Sequence, residues 1–254
     1  PTIRFNAVNV QVTSGSGATD GAPNGLGNLI VGYSEASPGA PLRCSVGSHQ
    51  TQSSCETTGG VWARNHRGGS HNLVLGQDNA YSQYGGFIGG RGNQINAPHA
   101  SVSSGHMNIA SGQYSVVTGG YLNEANSTSS VVSGGQENLA SGNHSVVSGG
   151  VTNIASGQYS AVSGGSVNRA SNTGSAASGG FDNIADGVHS VIGGGYGNNA
   201  TGTYSTVSGG GTNIANGHYS SVSGGGANIA SGHYSSVSGG ANRSATNLTN
   251  WRAG

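Results

Sequence analysis

The sequence is poor in nearly everything that an ordinary folded domain carries. Charged residues fill 6% of its 254 positions, aromatics another 6%, and lysine is absent. A globular domain has roughly a quarter charged residues and far more Leu, Ile and Phe. A thick conventional core is therefore excluded. Without lysine the chain forms neither a Lys–Asn isopeptide staple nor a Schiff base. Eight arginines balance eight acids, so there is no net charge to attract nucleic acid or an anionic membrane. Five prolines are too few for collagen, and low charge with low proline is a poor match to disorder. No run approaches the roughly 18 apolar residues of a membrane span, and no charged-plus-apolar leader opens the chain. Any export signal or anchor is expected to lie outside these residues.

What the chain does have is glycine, 50 of them, arranged with a period of 15 from about residue 85 to 240. Asn recurs at Asn93, Asn108, Asn123, Asn138, Asn153, Asn168, Asn183, Asn198, Asn213 and Asn228. Ala follows two places later, from Ala110 to Ala230, and an aliphatic column runs Val102, Val117, Val132, Val147, Val162, Ala177, Ile192, Val207, Val222 and Val237. Paired glycines such as Gly134–Gly135 close each unit.

Fifteen residues are too few for a helical repeat, which needs more than about 30. They suit one coil of a parallel β-solenoid, with two short strands and two tight turns. Within a coil Ser115 and Val117 share one strand face, and Tyr114, Val116 and Thr118 share the other. The Val117 column is nearly all aliphatic, which places it inward, facing Asn108 and Ala110 of the second strand. Coils stacked about 4.8 Å apart would make ten repeats a rod of order 50 Å. The glycine pair supplies a positive φ at the turn. Each inward Asn either hydrogen-bonds to its copies above and below or satisfies the turn backbone.

A core of Val, Ala, Ser and Gly is thin. At about 25 cal/mol per Å², a coil gains only a few kcal/mol against the entropy of fifteen ordered residues. Association along an outward face, with the Val116 column as candidate, is therefore expected.

The unit S-V-V-S-G-G-x-x-N-x-A-S-G-x-Y resembles the head repeats of trimeric autotransporter adhesins, whose motif reads roughly S-V-A-I-G-x-x-S-x-A-x-G. The resemblance covers about residues 85–240 and extends weakly to GNLIVG (Gly27–Gly32) and HNLVLG (His71–Gly76), which read as earlier coils. It implies a left-handed β-roll, three chains side by side, on a bacterial surface. Here the period is one residue longer, a second Gly is added, and Ser often replaces the family's Ile.

Residues 1–84 differ from the repeat and residues 241–254 follow it. Thr2–Val12 alternates loosely and reads as a strand, either a cap or an exchange partner between chains. Residues 33–70 interrupt the coils with Pro38, Pro41, Cys44, Cys55 and Trp62. A lone cysteine pair in a polar loop points to a disulfide in an oxidising compartment; a zinc site would need further ligands. Trp251 is a candidate end cap.

Little in the sequence suggests chemistry. The eight acids do not cluster, and there is no Gly-x-Ser-x-Gly elbow, phosphate loop or Asp-bearing calcium repeat. No catalytic residue, cofactor or metal is expected. His218 and His233 share a column one coil apart, in a position filled elsewhere by Gln113, Asn143, Gln158 and Thr203, and read as solvated polar residues. Beside them run Tyr204, Tyr219 and Tyr234, with His144 and His189 in the same column. This aromatic file either shields the coil edge and packs between chains, or binds glycan, matrix or other host-surface ligands.

Three functions compete: an extracellular structural or adhesive rod of a bacterial surface, probing its target by multivalent contact or polymerising into filaments; a phage-type fibre; and an ice-binding solenoid. The last needs a regular Thr face, whereas Thr118 and Thr206 are scattered and Ser dominates. The first is the expected one.

Overall fold

The computed structural model describes residues 2–6, 8–32, 42–46, 51–63, 66–247 and 251–252. The chain is an all-β parallel solenoid. One ladder joins 14 strands from Leu29–Val31 to Trp251–Arg252, and a second joins 12 strands from Ala80–Tyr81 to Ser244–Ala245. Most strands are only two residues long, as Val116–Val117 and Ile109–Ala110 are. A third column of single bridges runs from Gln77 through Tyr121 to Ala241. Strands this short hold because each one inside a ladder pairs on one side with its copy in the coil before and on the other with its copy in the coil after; only the end strands of each sheet pair on one side.

The register is that of the sequence period. Val117 pairs with Val102 and Val132, and Ala125 with Ala110 and Ala140, steps of 15 residues. The first coils are shorter. Val74 pairs with Ile88 and Ile88 with Val102, steps of 14. The missing residue lies in the turn before Asn: four residues separate Ile88 from Asn93, and five separate Val117 from Asn123. The early coils expected at Gly27–Gly32 and His71–Gly76 are both present, since Leu29–Val31 pairs with Leu73–Leu75 in the larger sheet. Between them the chain leaves the ladder and returns to it in register.

The Val117 and Ala110 columns are fully buried, together with the Asn108 and Ser115 columns. Their outward neighbours at Val116 and Ile109 are half-buried. The core column is continuous except at Ala177, whose methyl does not bridge the distance from Val162 to Ile192. Two separate clusters result, one ending at Ala177 and the next beginning at Ala185.

Turn geometry departs from a simple double-glycine corner. The two glycines of a pair are not equivalent, as Gly209–Gly210 shows. At Gly210 φ is +85°, and an added Cβ would lie 2.2 Å from the Gly225 carbonyl of the next coil. At Gly209 the same atom would meet nothing within 4 Å, and Ser104 occupies the equivalent place in another coil. Two further positions per coil take a left-handed conformation with ordinary side chains, Tyr159 (φ 57°) and Val167 (φ 61°) for example. Such residues cost roughly 1–2 kcal/mol each. They are held there because a positive φ turns the N–H backwards: Tyr159 N–H donates to Asn143 O and Val167 N–H to Val151 O of the preceding coil. Strand N–H groups such as that of Val116 donate forwards, to Ser130 O.

The interruption forms a small cap. Arg43–Cys44 pairs antiparallel with Trp62–Ala63, and Cys44 is disulfide-bonded to Cys55 in the helix Gln52–Thr57. Its carbonyls receive the first two strands of the smaller sheet, Ala80–Tyr81 and Gln94–Ile95: Tyr81 N–H donates to His66 O, Ser82 Oγ to Ser45 O, and Gln94 Nε2 to Cys44 O. Burial raises the Tyr81 phenol above its ordinary pKa, against the pull of Arg67, and lowers that of Arg43 against Glu124 and Asp78. Pro38 and Pro41 lie outside the described residues.

Within the single chain the described residues before Leu29 join neither sheet. The described residues of Thr2–Val12 form no strand; they are exposed and make no hydrogen bond. Alternation alone does not make a strand when no sheet edge lies alongside to take its backbone groups.

Candidate functional surface

The inward asparagines are structural. Asn123 Oδ1 accepts the backbone N–H of Asn138 (3.0 Å), while its Nδ2 donates to Gly119 O and Gly135 O, both at 2.9 Å. The same pattern runs through Asn93, Asn108, Asn153, Asn168, Asn183, Asn198 and Asn213 to Asn228, and ends where Arg243 N–H donates to Asn228 Oδ1 (3.0 Å). One amide thus serves both roles left open by the sequence: it climbs the stack and satisfies the turn. The ladder runs from amide oxygen to backbone N–H; direct amide–amide bonds occur at Asn138, Asn183 and Asn198.

The aromatic file emerges at the left-handed turn. Tyr204, Tyr219 and Tyr234 have φ of 55–57°, and their N–H groups donate to Val188, Thr203 and His218 O of the coil before. That fixes the base of each side chain, and the rings stack with centroids 5.0 Å apart and planes within 8°. His189 continues the file above Tyr204 at 5.1 Å, and His144 stacks on Tyr159 at 5.1 Å. The three tyrosines are 47%, 49% and 58% exposed. Their faces are turned to one another, so the file presents ring edges and hydroxyls outward.

His218 and His233 stack likewise, 5.0 Å apart with planes at 8°. Parallel rings aim their in-plane nitrogens side by side, so the pair does not converge on one ion. Among the described residues no group of three or more His, Cys, Asp or Glu gathers at metal-binding distance. A cleft of about 400 Å³ beneath the cap is lined by Val46, Val61, His66 and Ser82. His66 Nε2 there donates to Arg43 O (2.8 Å).

Two outward columns went unremarked in the sequence reading. Phe181 and Tyr196 stack at 5.7 Å on the bridge column, and His106 and Tyr121 form a second ring pair earlier in that column, at 5.5 Å. An aliphatic column, Ile109, Leu139, Ile154, Ile184, Ile214 and Ile229, lines the outside of the smaller sheet, interrupted by Glu124, Arg169 and Asn199. Arg169 is paired with Asp186 at 2.5 Å. The signal for that column was present: if Asn108 and Ala110 face inward, Ile109 faces outward. No family model and no curated protein matches the chain.

Proposed function

We propose that the chain is a non-enzymatic structural and adhesive rod of a bacterial surface, working outside the cell. The observation that carries this reading is the division of labour within each coil. Inward residues are spent on packing and on satisfying the backbone, while on the outside Tyr204, Tyr219 and Tyr234 repeat one side chain at a 5.0 Å spacing. Such a surface suits many weak identical contacts summed by avidity. The Cys44–Cys55 disulfide favours an oxidising compartment. The repeat's resemblance to autotransporter heads supports a left-handed coil and three chains side by side. The half-buried Val116 and Ile109 columns supply apolar faces for that contact.

Adhesion is tested by binding the rod to arrays of host glycans and matrix proteins. The expected result is multivalent binding that falls at least 10-fold when Tyr204, Tyr219 and Tyr234 are replaced together by Ala, with the fold unchanged. Binding indifferent to that change would remove the tyrosine file from the adhesive role.

A further inference from the structure

The solenoid's core column begins on an edge strand. At its start Ile30 sits in register above Val74, Ile88 and Val102, all completely buried. Ile30 itself is 44% exposed, with Leu29 and Val31 more so. Among the described residues the disulfide cap covers the first strand of the smaller sheet and leaves this strand of the larger sheet paired on one side only. In a parallel ladder alternate residues bond to opposite neighbours. Leu29 N–H and Val31 O are used toward the next coil, which turns the Ile30 N–H and C=O to the open side. An uncovered edge of this kind is a template for another strand.

The same end carries an unpaired strand-like segment. Val8, Val10 and Val12 alternate with Asn9 and Gln11, and the three valines are 64%, 61% and 45% exposed. The segment is tethered close by: Ser14 N–H donates to His71 Nε2 (3.2 Å), and Thr13–Ser14 packs on Gly27, two residues before the open strand. This anchor puts Val12 at the beginning of Leu29–Val31, so the chain's own arm cannot lie parallel on its own edge. A parallel strand would have to finish at the other end.

We propose that a second copy of this chain supplies the missing strand. Two rods meet start to start, and the Val8–Val12 arm of each lies on the Leu29–Val31 edge of the other, seating Val10 over Ile30. Because arm and edge belong to the same end, the contact is reciprocal and closes at two rods; it does not propagate into a filament. The junction is independent of any side-by-side association.

The test mixes a Val10→Cys chain with an Ile30→Cys chain under mild oxidation, leaving the native Cys44–Cys55 bond intact, and sizes the products by non-reducing electrophoresis and electron microscopy. A disulfide between the two chains, in rods twice as long as those of a Val10→Asp chain, is expected. Absence of that disulfide, with both chains folded by circular dichroism, overturns the proposal. A disulfide in rods of single length also overturns it, since the arm would then be exchanged sideways. The pair Gln11→Cys and Val31→Cys, which the same register brings together, repeats the test if either first variant misfolds.

Discussion

Asparagine and glycine do opposite work at each corner of the coil. Asn168 Nδ2 donates to Gly164 O and Gly180 O at 3.0 Å, and its Oδ1 accepts the Asn183 N–H at 3.1 Å, all out of water. Replacing it with Ala strands three backbone groups, and an orphaned buried group costs about 1–3 kcal/mol. Asn168→Ala is expected to lower stability by roughly 3 kcal/mol, read as a shifted denaturation midpoint. Glycine acts by having no side chain where two coils touch. Gly210→Ala must push the Gly225 carbonyl away, whereas Gly209→Ala meets nothing. Thermal melts of the two variants are expected to differ by more than about 2 kcal/mol, with Gly209→Ala within about 0.5 of the parent. Equal loss at both would mean that the coils are not stacked in this register.

At the scale of elements, a two-residue strand has no independent stability, and its existence depends on the ladder above and below. The weakest rung is Ala176–Ala177, where the core divides into two clusters. Ala177→Val restores the side chain found in the neighbouring rungs and buries about two more methylene equivalents. A gain of about 1 kcal/mol is expected, measured by chemical denaturation; a loss would show that the Ala rung is filled by local contraction. Much of this was legible beforehand. The inward Val117 and Ala110 columns followed from which columns stay aliphatic, the coil from the period, and the disulfide from a lone cysteine pair. Less legible were features fixed by neighbours in space. The shorter first coils lose their residue from a glycine-rich turn, where sequence gives no anchor for counting. The left-handed conformation of Tyr159 and Val167 is imposed by hydrogen bonds to the preceding coil and contradicts the preferences of those residues. Thr2–Val12 carries a strand's alternation without a partner strand. The tyrosine file was visible as a column, but its face-to-face stacking, which withholds the ring faces from ligand, depends on the coil spacing.

The whole molecule is a rod capped by a disulfide-stapled insertion at one edge and built from a core one aliphatic side chain wide. A typical coil buries one Val, one Ala, one Ser and one Asn, and leaves its residues of the Ile109 and Val116 columns half-covered. A largely apolar column on the outside of a rod, such as that of Ile109, marks an association face, and this is where the proposed adhesive assembly is most exposed to test. The direct measurement is the absolute mass by light scattering of the Val10→Asp chain, which removes the end junction and leaves side-by-side contact alone. A mass of three chains, with rods in micrographs no longer than one solenoid, is the predicted result. A stable single chain would contradict the account, because it would show that this thin core stands without lateral partners.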